Sequence, residues 1–228
     1  MNAAPPLAAS LNACWAGCIL IVAFAMVATR QVQGVVRYYV IQSALLALAA
    51  FTLGWGLRLW DLWALGGITI AEKVIIIPLV LRAQLPAESN QRREVAQAVN
   101  VPASLLISLV LAITAAVVLA PLAAATGPLV RVNLPIGLGC VLIGAYTVVA
   151  RREAIPQLIG ILAMENGAFC AGIAIAPRLP MIAELALALD VILIAAVAGL
   201  LTRDVRSTLG TTAAGGLHEL HEEVPRWR

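Results

Sequence analysis

The side chains in this sequence that could do chemistry lie inside apolar runs. Glu165 and Asn166 interrupt one such run within Met164-Glu165-Asn166-Gly167, Asp190 interrupts the next, and Glu72-Lys73 interrupts an earlier one. An ionisable group at bilayer depth is costly and commonly marks an ion or proton pathway. Low dielectric disfavours the charged form and a nearby opposite charge restores it, so a buried carboxylate and a buried lysine held together can exchange a proton. The apolar runs near 62–82, 154–176 and 180–202 have midpoints at residues 72, 165 and 191, so the charges fall at one depth and form a layer. Glu165, Asp190, Lys73 and Glu72 are the proton-transfer candidates, with Glu184 and Asn166 as secondary candidates. The competing reading is structural: the same groups lock helices together by ion pairs and hydrogen bonds.

The elements that must position them follow from composition. Of 228 residues 62% are hydrophobic and 12% charged, with a mean hydropathy of +0.96, against about 25% charged in a soluble domain. A net charge of +3 carried by scattered basic residues is not a nucleic-acid footprint. Runs near 8–29, 38–60, 62–82, 102–124, 132–150, 154–176 and 180–202 can each cross a hydrocarbon core, which takes about 20 helical residues. Every backbone polar group in lipid must be satisfied within its own segment, so these runs are expected to be helices. The fold class expected is an all-α, polytopic helical bundle of about seven spans.

Orientation follows from the basic residues. Alternating connections put Arg30, Arg37, Arg82, Arg92, Arg93, Arg151, Arg152, Arg203, Arg206, Arg226 and Arg228 on one side. Arg58, Arg131 and Arg178 fall on the other. The positive-inside rule makes the first side cytoplasmic, with the N-terminus outside and the C-terminal tail inside. The short Pro177-Arg178-Leu179-Pro180 connection makes the last two spans antiparallel neighbours, so Glu165 and Asp190 could face each other. Glu184 and Asp190 are separated by about 600° of helical turn and point to different faces.

Other residues read as helix punctuation. Pro78, five after Lys73, is expected to kink span three. Gln42-Ser43, Asn133 and Gln157 are polar glue between helices, and Pro102, Pro135 and Pro156 are expected in first turns. Cys14, Cys18, Cys140 and Cys170 read as small buried hydrophobes, without metal or disulfide spacing. Ala83–Val101 is a polar linker, and His218 and His221 belong to a polar tail rather than a metal site. The domains expected are a three-helix part with its loop (1–101), a four-helix part (102–202) and a cytoplasmic tail (203–228). No redox cofactor, metal or nucleotide motif is read.

The segment Arg151-Arg152-Glu153-Ala154-Ile155-Pro156-Gln157-Leu158-Ile159-Gly160-Ile161-Leu162-Ala163-Met164-Glu165-Asn166-Gly167, with Asp190 and Arg203 after it, resembles component E of hydrogenase-4 type membrane complexes. Lys73-Val74-Ile75-Ile76-Ile77-Pro78 resembles that family's buried lysine followed by a proline. The second half is also similar to subunit K of respiratory complex I and to the C subunit of multisubunit sodium/proton antiporters. Aligned on Arg151-Arg152 and Leu158-Ile159-Gly160, the first glutamate of subunit K falls on Leu162, three residues before Glu165, and the second falls on Asp190. The resemblance implies a non-redox accessory subunit of an energy-converting oxidoreductase complex in the prokaryotic inner membrane. Its implied partners are hydrogenase-type core subunits, antiporter-like subunits and the lipid bilayer. Its implied work is proton or sodium translocation through the buried charges, the alternative being a scaffold.

Overall fold

The computed structural model of the chain describes residues 5–84, 99–152 and 154–176, and these form a bundle of long apolar helices with no β-sheet among them. The helices are α1 (Pro6–Ala28), α2 (Val32–Leu57), α3 (Trp60–Thr69), a π-helical segment (Ile70–Ile76), α4 (Ile77–Gln84), α5 (Val101–Ala124), α6 (Pro128–Ala150) and α7 (Ala154–Ile175). The segment from Trp60 to Leu81 runs continuously through α3, the π segment and α4, so the described residues contain six helices long and apolar enough to cross a membrane. The expected run at 180–202, with Asp190 and Glu184, lies outside the described residues, as do the 85–98 part of the linker and the tail.

Two helix starts differ from expectation. α2 begins at Val32 rather than near 38, because Arg37 takes an exposed position and a charge there need not end the helix. α6 begins at Pro128 rather than near 132, with Pro128 in the first turn. Pro135 is therefore inside the helix and not in its first turn, a correction to the sequence reading. Pro102 does lie in the first turn of α5, where the Asn100 side chain accepts a hydrogen bond from the Ala103 N–H at 3.0 Å.

Lipid tails are as apolar as leucine, so helices associate in a membrane through close packing and polar contacts rather than through the hydrophobic effect. The contact between α6 and α7 is built on glycine. A Cβ placed at Gly137 would sit 2.6 Å from the carbonyl oxygen of Gly167, and one at Gly144 would sit 2.8 Å from that of Gly160. Gly137 and Gly144 on α6 thus meet Gly167 and Gly160 on α7, backbone against backbone along two turns. The buried stripe of α1 is also rich in small residues, running through Ala8, Asn12, Ala16, Ile19, Ala23 and Met26, and it packs on α2 and α6. Cys140 and Cys170 are buried, whereas Cys14 is exposed and Cys18 partly so. The expectation of burial fails for Cys14 because that face of α1 turns out of the bundle.

The sequence places Arg151 among the solvent-side topology residues, yet it is buried at 3% exposure. Its guanidinium donates to the carbonyls of Val27 at 2.9 Å, Thr29 at 2.8 Å and Met26 at 3.3 Å. These are the end carbonyls of α1, which lack intrahelical donors and carry the negative end of the helix dipole. The C-terminal ends of α1 and α6 therefore meet at one end of the bundle.

Candidate functional site

The site is assembled from α2, the π segment and α7. In the π segment the Ile77 N–H donates to the Glu72 carbonyl, five residues back instead of four. The widened turn precedes Pro78, whose ring nitrogen has no hydrogen to donate. The chain places a π-helical turn directly before the proline at which the sequence leads one to expect a kink, and such turns are frequent at functional sites. Both ionisable residues of this segment are buried, Glu72 at 4% exposure and Lys73 at 0%.

Lys73 reaches α7. Its Nζ lies 3.1 Å from Glu165 Oε1 and donates to Asn166 Oδ1 at 3.3 Å. The ammonium also stands 4.5 Å from the centre of the Phe169 ring, where the negative face of the aromatic quadrupole attracts a cation. The contact with Glu165 is an ion pair whose angles fall outside those of a hydrogen bond. Asn166 is oriented from its other side: its Nδ2 donates to Ser43 Oγ at 2.9 Å and to Gln42 Oε1 at 3.4 Å, both on α2. With its N–H groups spent on α2, the amide presents its oxygen to Lys73.

Magnitudes say what such a pair is for. Two unit charges about 3 Å apart attract by about 5 kcal/mol at an effective dielectric of about 20. Desolvating each ion costs several kcal/mol, so a buried pair roughly breaks even against apolar residues, while removing one partner costs about 3–5 kcal/mol. An apolar pair would hold these helices equally well, so net stability does not account for the choice of Lys and Glu. The cluster does offer an acid and a base in contact, with an amide that fixes the geometry of the base.

A second polar node lies between α1, α6 and α7. Asn12 Nδ2 donates to Asn133 Oδ1 at 2.6 Å, and Asn133 Nδ2 donates to Asn12 Oδ1 at 3.3 Å and to the Cys170 carbonyl at 3.1 Å. Both asparagines are fully buried. Tyr146 also donates to Ser104 Oγ at 2.8 Å, tying α6 to α5.

Of the residues singled out in the sequence, Lys73, Glu165 and Asn166 are brought together, and Glu72 is buried in the same π segment. Asp190 and Glu184 fall outside the described residues. Gln42 and Ser43, polar glue on the sequence, are the residues that orient Asn166. They are residues 11 and 12 of the 26 in α2, so the equal-depth reasoning that grouped the charges would have grouped them too. The pairing of Asn12 with Asn133 is not evident from the sequence pattern, although they sit seventh in α1 and sixth in α6, two helices whose C-terminal ends meet. Phe169 and Arg151 carried no such signal. No cluster of metal-ligating side chains occurs among the described residues.

Comparison with known proteins finds similarity along nearly the whole chain. An uncharacterized protein of Mycobacterium tuberculosis, Rv0085, is 31% identical over 210 residues, which is 91% of this chain and 94% of the relative. Hydrogenase-4 component E of Escherichia coli K12 is 25% identical over 208 residues, 90% of this chain and 94% of the relative, and the component E of Shigella flexneri matches to the same extent. No protein-family model and no solved structure matches the chain.

Proposed function

Because this chain belongs to the family of hydrogenase-4 component E, a membrane subunit of a hydrogenase complex, we propose that it conducts protons, or sodium in their place, across part of such a complex. The complex is of the energy-converting, complex I-like kind, in which oxidation of a donor drives ion movement. The chain is a membrane component and contributes no redox centre. Lys73 and Glu165 exchange a proton within the membrane, Asn166 holds the lysine in position, and Glu72 and Asp190 serve as further relay residues. Hydrogenase-type core and antiporter-like subunits are its neighbours. About seven spans, an external N-terminus, a cytoplasmic tail and a location in the inner membrane complete the reading.

The single observation that carries it is the contact of Lys73 with Glu165 across two spans, made from a π turn and oriented through Asn166 by α2. A buried acid and base in contact at mid-span are what a proton relay requires. A scaffold reading also has an observation in its favour, since Asn166 joins three helices and would do so if nothing titrated. Glu165→Gln separates the two, because it keeps shape and hydrogen bonding but cannot ionise. A complex that assembles around the variant but loses ion movement supports the relay. A complex that assembles and pumps at the parent's coupling supports the scaffold.

A further inference from the structure

The turn between α2 and α3 has a composition that the charged layer does not explain. Trp55, Trp60 and Trp63 are exposed at 57%, 70% and 50%, and no other described tryptophan is exposed to that degree. Arg58, also exposed, lies among them. It has no ion pair among the described residues. Its backbone is left-handed, with φ 54° and ψ 40°, and it is the one described non-glycine residue with positive φ. The Leu59 N–H closes the helix end by donating to the Gly54 carbonyl at 3.1 Å. This six-residue closure is one in which glycine is the usual left-handed residue, and a side-chain-bearing residue there costs about 1 kcal/mol or more. An arginine held where glycine would be easier points to a use for its side chain.

The position in the bundle defines that use. The turn joins two membrane-length helices at one end. Gly56 lies against Ala8 and Pro5, so the start of α1 is at the same level. Trp63 packs its indole on Gly54 and stands 5.2 Å from the Phe51 ring, centre to centre, which holds it at the rim. Asp61, in the first turn of α3, faces the positive end of that helix. Indole prefers the boundary between hydrocarbon and water, where its ring is in the apolar layer and its N–H finds a headgroup acceptor. A guanidinium at the same depth matches a phosphate with its fork of donors.

We propose that the α2–α3 turn is a lipid-binding corner, in which Arg58 takes the phosphate of an anionic bilayer lipid and Trp55, Trp60 and Trp63 enclose its glycerol region. The corner fixes the height of α2 and α3 in the membrane, and it stands independently of any role for Lys73 or Glu165.

The test uses the full chain in vesicles of phosphatidylcholine with a minor fraction of phosphatidylglycerol, brominated either high or low on the acyl chains. Tryptophan emission is expected to be quenched more by the high position, and a Trp55→Phe, Trp60→Phe, Trp63→Phe variant is expected to lose most of that difference. Phosphatidylglycerol retained through detergent extraction, read by native mass spectrometry, is expected to fall about fivefold in Arg58→Gln, the effect of one basic side chain at an anionic surface. Arg58→Lys retains most of it. Arg58→Gly fits the left-handed turn without strain, so its loss of lipid cannot be attributed to misfolding. Stronger quenching from the low position, or unchanged lipid retention in both Arg58→Gln and Arg58→Gly, overturns the proposal. Release of the lipid by excess inorganic phosphate would assign the corner to a soluble anion. Loss of the high-position quenching in the assembled complex would assign it to a partner protein. Either result overturns the proposal as well.

Discussion

At Asn133, α7 is held by amides: two asparagine side chains bond each other, and one also donates to the Cys170 carbonyl. One turn earlier, at Glu165 and Asn166, the same helix is held by charge, with Lys73 reaching in from the π segment and Ser43 orienting the amide from α2. Both nodes are buried and both cross three helices. They differ in what they can become. An amide pair has one protonation state under any physiological condition, so the Asn12–Asn133 node can only lock. The Lys73–Glu165 node joins an acid to a base, and it is this pair that the proposed relay uses. Both nodes lie on α7, so the helix carries a fixed anchor beside the pair proposed to act as the relay.

The largest expected effect breaks the charged node on one side. Lys73→Met leaves Glu165 without its cation and is expected to cost about 3 kcal/mol or more, read as loss of the folded chain in a detergent-resistance or thermal assay. Lys73→Met with Glu165→Leu should recover most of that cost, and failure to recover would mean that Lys73 supports the fold by some other contact. The glycine interface beneath both nodes comes next. Gly167→Val puts side-chain atoms where a Cβ would already lie 2.7 Å from the Gly137 carbonyl oxygen, and overpacking of this kind costs about 1–3 kcal/mol. The neutral node should be cheaper to lose. Asn133→Leu is expected to cost about 1 kcal/mol, as interhelical hydrogen bonds in membranes do, and Asn12→Leu with Asn133→Leu should cost little more than the single change. An Asn133→Leu loss as large as that of Lys73→Met would erase the distinction between lock and proposed relay. Ser43→Ala should be smallest in stability, about 0.5–1 kcal/mol, yet it frees the Asn166 amide to turn. A fall in ion movement out of proportion to that loss is expected if Asn166 positions Lys73.

The transmembrane character and the positions of six helices were legible because lipid imposes a simple rule: long apolar runs must be helices. Equal depth placed Lys73 and Glu165 in one layer, and they do meet. Which partner each residue takes was less legible, because contacts depend on helix rotation and neighbour order, neither of which follows from hydropathy. The short connection after span six suggests Asp190 as the partner of Glu165, and Asp190 lies outside the described residues, while the pairing with Lys73 crosses from span three to span six. Pro78 marks a disturbance of the helix, but the π turn before it is not legible from a missing N–H alone. Pro135 falls in a first turn only if α6 starts at the end of the polar stretch near 132, whereas Pro128 begins the helix four residues earlier. Arg151 shows a limit of reading arginines as topology signals: the residue is at a helix end as expected, but its guanidinium is spent on the carbonyls of α1.

The most direct measurement is ion movement by the intact complex carrying Glu165→Gln, assembled to the parent's level as judged by co-purifying subunits. Electron transfer that continues while ion movement per electron falls by about tenfold or more is the expected result, corresponding to about 1.4 kcal/mol or more at the coupled step. Ion movement per electron equal to the parent's, in a fully assembled complex, would contradict a relay at Glu165 and leave the charged node as a second lock.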